Sequence, residues 1–318
     1  MIKIKGDFDM SIEKKLLVNF VEISGTVMDI YGDKVIGENE DWMRFEYMMK
    51  IRVAEDQIFE VKFSAKKSSK LYAGFTTLYD EVKTVAESGE DADRIRITGK
   101  LVSNAFYSKG KLYEKVEIVV NSANREKEKK FENNASFATL GYIEEHKKLE
   151  DGTANIRALI NEYSFNGKVR GHEITFNVAD KDEVDDYLEF FKEKTVCSLE
   201  GMLVNKRVKV EIDPKDLEEL STKGTIGSAK KKILEENERR KKLREEGVFR
   251  NEMVLELTGG VEDISLEEIE HHKYPFLKED IQDMIDDIDE RLDKSLARDK
   301  ERNPSAYSVG IDDDDLPF

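Results

Sequence analysis

Cysteine occurs once in the 318 residues, at Cys197, and a lone thiol excludes an intrachain disulfide. Histidine is nearly as scarce at four, with no Cys/His spacing that would seat zinc, so neither a metal nor another cofactor is expected. His271 and His272 are neighbours, and on a helix their side chains diverge by about 100°, so they would not share a metal. Glycine-rich phosphate loops, nucleophile elbows and metalloprotease signatures are missing. Asp286, Asp287 and Asp289 lie on a helical pattern whose acidic face is more simply solvated, and the chain reads as a non-enzyme. Apolar runs are short too. None approaches the roughly 18 residues of a membrane span, and MIKIKGDFDM lacks the apolar stretch of a signal peptide, so a soluble cytoplasmic protein is expected.

What the chain has in quantity is charge. Charged residues make up 38% of it and the net charge is −17, a sum that opposes a polyanionic partner until its distribution is counted. Residues 1–130 hold 23 cationic and 23 acidic side chains, residues 131–215 carry a net −5 and the last 103 residues a net −12. The N-terminal part is therefore free to carry a basic face. The length and a 39% hydrophobic content predict two domains with appendages.

Along the chain, VNFVEISGTVMDI reads as a β-branched strand, and the polar loop YGDKVIGENED leads to a second strand from Trp42 to Ala54. Alternation there puts Phe45, Tyr47, Met49, Ile51 and Val53 on the core side and Trp42, Arg44, Met48, Lys50 and Arg52 on the other. A third strand, Gln57 to Ala65, precedes a helix whose apolar stripe is Leu71, Phe75, Leu78, Val82 and Val85. Two alternating strands, RIRITGKLVSN and KLYEKVEIVVN, follow. Three strands, a helix and two strands is the order of an OB-fold barrel. After the linker REKEKKFENN the plan recurs in diverged form, with TVCSLEGMLV and KRVKVEID as its last two strands. TGKLVSN echoes LEGMLVNK, each followed by Val-Glu-Ile.

The C-terminal third holds a highly charged helix, SAKKKILEENERRKKLREE, a short strand at EMVLELTG, and a helix striped with Ile281, Ile285, Ile288, Leu292 and Leu296 that is expected to pack on a barrel. The chain then ends in IDDDDLPF. Four aspartates, Asp312, Asp313, Asp314 and Asp315, predict a solvated, disordered tail, and Leu316, Pro317 and Phe318 add an apolar tip that a solubility device would not need.

That tip resembles the C-terminus of bacterial-type single-stranded DNA-binding proteins. The resemblance covers these eight residues and implies an OB-fold, a tip that recruits replication, recombination and repair proteins, and competition of the tip with DNA. Members of that family usually have one OB-fold and assemble as tetramers; two folds in one chain, with a long acidic helical region, look more like a bacteriophage-encoded version, which would act in the host cytoplasm.

The expected fold is therefore mainly β (α+β). Residues 1–127 form a first, DNA-binding OB-fold and 128–136 a linker. Residues 137–215 form a second OB-fold, 216–302 a charged helical region with one short strand, and 303–318 the tail. A non-specific single-strand binder needs cations along a groove and aromatic faces for stacking, each stack worth roughly 1–3 kcal/mol. The first domain offers Trp42, Phe106, Tyr107 and Tyr113 with Arg44, Lys50, Arg52, Lys62, Lys109, Lys111 and Lys115. The second offers Tyr163, Phe165, Lys168 and Arg170, with Lys206 and Arg207 on its strands. Trp42 equally suits a barrel cap and Tyr113 a cross-strand pair, so the cluster carries the reading. A replication adaptor that docks through the tip without touching DNA is the alternative.

Overall fold

The computed structural model describes residues 16–37, 43–126, 132–163, 169–210, 220, 221, 223, 227–246 and 248–307. Five strands, β1 (Phe20–Ile36), β2 (Arg44–Ala54), β3 (Gln57–Lys66), β4 (Arg94–Ser108) and β5 (Lys111–Glu126), run in the spatial order β2-β3-β5-β4-β1. β1 pairs back on β2 and closes the barrel, and β3–β5 is its one parallel contact among the described pairings. This is the OB-fold topology. The strand alternation places Ile23, Tyr47, Met49, Ile51, Phe63, Ile97 and Ile118 inside, while Phe45 and Val53 stay half-buried at the rim. Helix α1 (Lys70–Glu81), capped by the Ser69 hydroxyl, plugs one end of the barrel. Its Phe75 meets Phe63 edge to face at 4.9 Å, and the Tyr47 hydroxyl donates to the Phe75 carbonyl at 3.1 Å. The helical stripe expected to run on through Val85 breaks after Glu81. Thr84 starts a second short helix, α2 (Val85–Ser88), with a capping box to Glu87.

The plan repeats. β6 (Asn134–Lys148), β7 (Ala154–Tyr163), β8 (Val169–Val178), β9 (Val196–Val210) and β10 (Val248–Val261) take the order β6-β7-β8-β10-β9, and β9 returns to β6. Helix α3 (Val184–Phe190) stands between the third and fourth strands, as α1 does in the first barrel. Here the sequence expectation needs correction. TVCSLEGMLV and the start of KRVKVEID are one strand, β9, and the fifth strand is EMVLELTG inside β10, which pairs in parallel with β8 at Glu256 and Asn177. The barrel's closing strand therefore lies beyond residue 215, in the stretch expected to be mostly helical. The physical reason is that a β-strand's partner is chosen by pairing and burial, and Leu255 and Leu257 supply the buried alternation.

The echo between TGKLVSN and LEGMLVNK has a structural cause. A Cβ on Gly99 of β4 would lie 2.6 Å from the Val119 carbonyl oxygen of β5, and one on Gly201 of β9 would lie 1.9 Å from the Glu256 carbonyl oxygen of β10. Each fourth strand thus needs glycine where the fifth strand crosses closest.

The barrels share a ladder. Residues Phe20–Ser24 of β1 pair with Ala138–Asn134 of β6 while Val21–Ser24 also pair with β4. Asn19, in the left-handed region at φ 56° and buried, precedes this double pairing. Its side chain donates to the carbonyls of Leu101 (2.9 Å) and Asn161 (3.4 Å) and accepts from the Leu101 N–H (2.7 Å), and its backbone N–H donates to Thr139 Oγ1 (3.2 Å). A second buried junction centres on His172, whose side chain is 0% exposed. Its Nδ1 accepts from the Ser103 N–H at 3.1 Å, and its Nε2 faces Glu162 Oε2 at 3.0 Å, while Lys100 donates to the other oxygen of that carboxylate, Oε1. Burial opposes the Glu162 charge, but the bonds from His172 and Lys100 hold its pKa at about 2.

Helices α5 (Leu266–His272) and α6 (Lys278–Arg302) complete this body. The expected α6 stripe, Ile281, Ile285, Ile288, Leu292 and Leu296, is half-buried, while Met284, outside that stripe, is fully buried in a cluster with Tyr274 and Phe276; the Leu16 N–H donates to the Tyr274 hydroxyl at 2.6 Å. Residues 205–254 form a second compact unit that contains helix α4 (Gly227–Glu246), where Asn237 exchanges two hydrogen bonds with the Leu220 backbone. Among the described residues, no helix is long and apolar enough to cross a membrane.

Two outcomes follow for stability. Asn19→Ala strands the Leu101 N–H and leaves a Cβ-bearing residue at positive φ without its local hydrogen bonds; equilibrium urea unfolding is expected to show a loss of about 2–4 kcal/mol. Burial pushes the His172 pKa below its ordinary 6.5, so folding favours the neutral ring. Below pH 6.5 the unfolded chain takes up a proton the folded one resists, and stability falls as pH falls. The urea midpoint should drop between pH 7.5 and 5.5 by a margin that shrinks in His172→Gln.

Candidate nucleic-acid interface

The outer face of the first barrel is assembled by register. Tyr31 of β1 pairs with Met48 of β2, Met48 with Lys62 of β3, and Lys62 with Val119 of β5, so these side chains form one row across the sheet. Arg44 and Lys50 flank that row on β2. Next to that row on the same face of β2 is Glu46, whose register partners are Lys34 and Ser64 and whose side chain is only 7% exposed. Lys34 Nζ, Arg44 Nη1 and Lys62 Nζ approach its carboxylate at 3.7, 3.5 and 3.4 Å, and the Ser64 hydroxyl donates to it at 3.0 Å. Burial disfavours the charge on Glu46, but the Ser64 bond and the Lys62 and Lys34 cations outweigh it and keep the pKa below the ordinary carboxylate value. Beside the cluster, Lys50 Nζ lies 4.8 Å from the centre of the Tyr31 ring, and burial and a hydrogen bond to Glu60 push the Tyr31 phenol up. Three cations thus converge on one buried acid, and beside them Lys50 lies over the Tyr31 ring and pairs with the more exposed Glu60 at 3.9 Å.

Along β5, from Val119 to Tyr113, the outward row runs about 20 Å to the β4–β5 hairpin. Phe106 and Tyr113 are cross-strand partners there, stacked at 5.7 Å with 18° between rings, and 41% and 46% exposed. Lys111 and Lys115 are exposed on the same strand, Lys115 within 3.5 Å of Glu117. Tyr107 alternates to the opposite side, where α6 packs, and its N–H donates to Ser295 Oγ at 2.8 Å. The hairpin turn is Lys109-Gly110, both at positive φ (51° and 76°), as a two-residue primed turn requires. Its two N–H groups converge on Asp299 of α6, at 3.0 and 2.8 Å, and Asn303 Nδ2 and the Tyr307 hydroxyl complete the clasp at 2.7 and 2.6 Å. The Gly110 N–H and the Tyr307 hydroxyl lead in holding the Asp299 pKa at about 2.

The corresponding face of the second barrel has the opposite character. Arg157 there is held by Glu173, Glu145 and Glu144 at 3.1, 3.3 and 3.7 Å; burial raises the pKa of both Glu144 and Glu173. Arg170 is exposed but faces Glu162 at 3.5 Å, and α6 crosses the adjoining residue so closely that a Cβ on Gly171 would lie 2.6 Å from the Met284 carbonyl oxygen.

The structure thus gathers Arg44, Lys50 and Lys62 in one patch and Phe106, Tyr113, Lys111 and Lys115 in another on the same barrel. Arg52 sits at the far end of β2, opposite Ile58, and Tyr107 and Lys109 belong to the clasp with α6. Tyr163 pairs with Val169 at the end of the β7–β8 ladder, and Lys206 and Arg207 fall in the unit 205–254. Trp42, Phe165, Lys168 and the tip Asp312–Phe318 lie outside the described residues. Sequence reasoning missed Glu46, although alternation puts it between Arg44 and Met48. It also missed Tyr31 and Lys34, which sit in the part of β1 that reads as a loop, with only Lys-Val-Ile to signal strand.

The clasp predicts a local effect. In Asp299→Ala the Lys109 and Gly110 amides lose their acceptor, and hydrogen exchange at these two positions should accelerate by about tenfold or more while β1 and β6 amides are unchanged.

Among curated proteins none matches this sequence. Among solved structures, a deletion mutant of the single-stranded DNA-binding protein from Thermus aquaticus is similar over 78% of this chain and 95% of its own, at 10% identity and a TM-score of 0.44. A replication protein A heterotrimer bound to single-stranded DNA matches over 61% of this chain and 46% of that one, at 10% identity and a TM-score of 0.23. The model of the family described as YorF matches residues 18–293, the greater part of the sequence, and the chain belongs to that family.

Proposed function

We propose that this protein binds single-stranded DNA through the first barrel and performs no covalent chemistry. The observation that carries the reading is the outer face of that barrel. Lys34, Arg44, Lys50 and Lys62 form a cation patch there, and an exposed Phe106–Tyr113 stack follows on the hairpin, in a chain whose net charge is −17. Cations on a strand face attract phosphates, and exposed rings take unstacked bases, which a duplex does not offer. The second barrel, with Arg157 paired to three glutamates, is assigned a structural role. Glu46 organises the patch: it keeps three long cationic side chains converged, and offsets part of their repulsion before DNA arrives.

The tip Ile311–Phe318 is assigned the recruitment of replication, recombination or repair proteins, and the setting is the cytoplasm, that of a bacterial host if the chain is phage-encoded. The test is a titration with oligo(dT) and with a duplex of equal length at low and moderate salt. The single strand should bind, with log K falling by about 0.7 per phosphate contact for each decade of salt. The duplex should bind far more weakly. Phe106→Ala should cost about 1–3 kcal/mol of binding, and Lys62→Glu should weaken binding and flatten the salt dependence. No binding by the whole chain, nor after removal of Ile311–Phe318, would replace this reading with that of an adaptor.

A further inference from the structure

Helix α4 is the one described element that the proposed function leaves without a role. It belongs to the unit 205–254, between β9 and β10, where the first barrel makes do with the Lys109-Gly110 turn. Barrel closure does not need it. The unit is also electrically unlike the rest: it holds 14 Lys and Arg against 11 Asp and Glu, in a chain of net −17. On α4 the imbalance is at the surface. Lys230, Lys231, Lys232, Arg239, Lys241 and Lys242 are exposed, whereas Glu235 and Glu238 are the exposed acids among its described side chains, and Glu236 is half-buried beside Arg239 and Arg240.

The composition narrows what such a helix can hold. A groove-binding helix presents an apolar stripe, but α4 has only Ala229, Ile233, Leu234 and Leu243 among 20 residues. It has no aromatic side chain, so base stacking is excluded as well. Exposed ammonium and guanidinium groups on a rigid rod remain, from Lys230 to Lys242 along about 18 Å. That is the chemistry of a phosphate backbone, read without regard to bases.

We infer that α4 is a second nucleic-acid contact, a phosphate-binding helix that adds affinity but no preference for base or strandedness. This rests on the DNA-binding reading of the chain and extends it to a surface outside the first barrel. In the full-length protein, Lys230→Glu, Lys231→Glu and Lys232→Glu combined should lower the slope of log K against log salt by about 2 for a 30-mer of oligo(dT), and weaken binding at 0.1 M salt by about tenfold or more. The Lys62→Glu variant calibrates the first barrel in the same assay. With Lys232 replaced by a photoreactive benzophenone residue, irradiation should yield a covalent adduct with the oligonucleotide. An unchanged slope and no adduct, while Lys62→Glu still weakens binding, would overturn the inference and leave the first-barrel reading standing. An adduct to the chain's own residues 311–318 instead of DNA would overturn it too, by showing that the helix takes the acidic tip. If the unaltered chain binds no DNA, both readings fall together.

Discussion

Asn19 sits where β1 begins to pair on both sides, and the rest of the main body depends on that double pairing. A strand flanked by β4 of its own barrel and β6 of the next cannot shift register without breaking two ladders. The residue that enters it must therefore satisfy donors and acceptors of both barrels in a buried place. Asparagine does this because it carries a donor and an acceptor on one short side chain and tolerates φ of 56°. His172, Glu162 and Lys100 repeat the device farther along, again joining strands of the two barrels. The two OB-folds thus form one ten-stranded sheet system in place of beads on a linker.

With the barrels fused, duplication and divergence can be read separately. What the halves share is backbone: strand order, the parallel third-to-fifth contact, and glycine at Gly99 and Gly201 where the fifth strand presses on the fourth. Where they differ is the outward face. Glu46 meets three cations, while Arg157 meets three acids. Helix α6 reinforces the difference, covering part of the second barrel's face and bracing the hairpin of the first through Asp299.

Much of this was legible beforehand. Alternation in Phe45–Val53 and the stripe through Phe75 and Leu78 report burial directly, because a sheet face and a helix face each impose a period. The inward packing of α6 was legible for the same reason. The fifth strand of the second barrel was not, since nothing local tells Leu255 and Leu257 that their partner is β8, some eighty residues upstream. KRVKVEID has equal strand character and stood nearer. The site shows the same limit. Arg44, Lys50, Lys62, Phe106 and Tyr113 were found from residue type and alternation, but the convergence of Lys34 on Glu46 depends on β1 curving past β2, and Asp299 reaches the hairpin from about 190 residues away.

The position of β10 also sets an order of events during synthesis. The first barrel has all five strands once residue 126 is made, but the second must hold β6 to β9 without their closing partner until residue 261. Meanwhile β8 presents an unpaired edge, and a parallel contact across so long a loop forms slowly. The first barrel supplies a template in that interval, because β1 already offers its edge to β6. Assembly from the ribosome would thus proceed outward from the finished barrel.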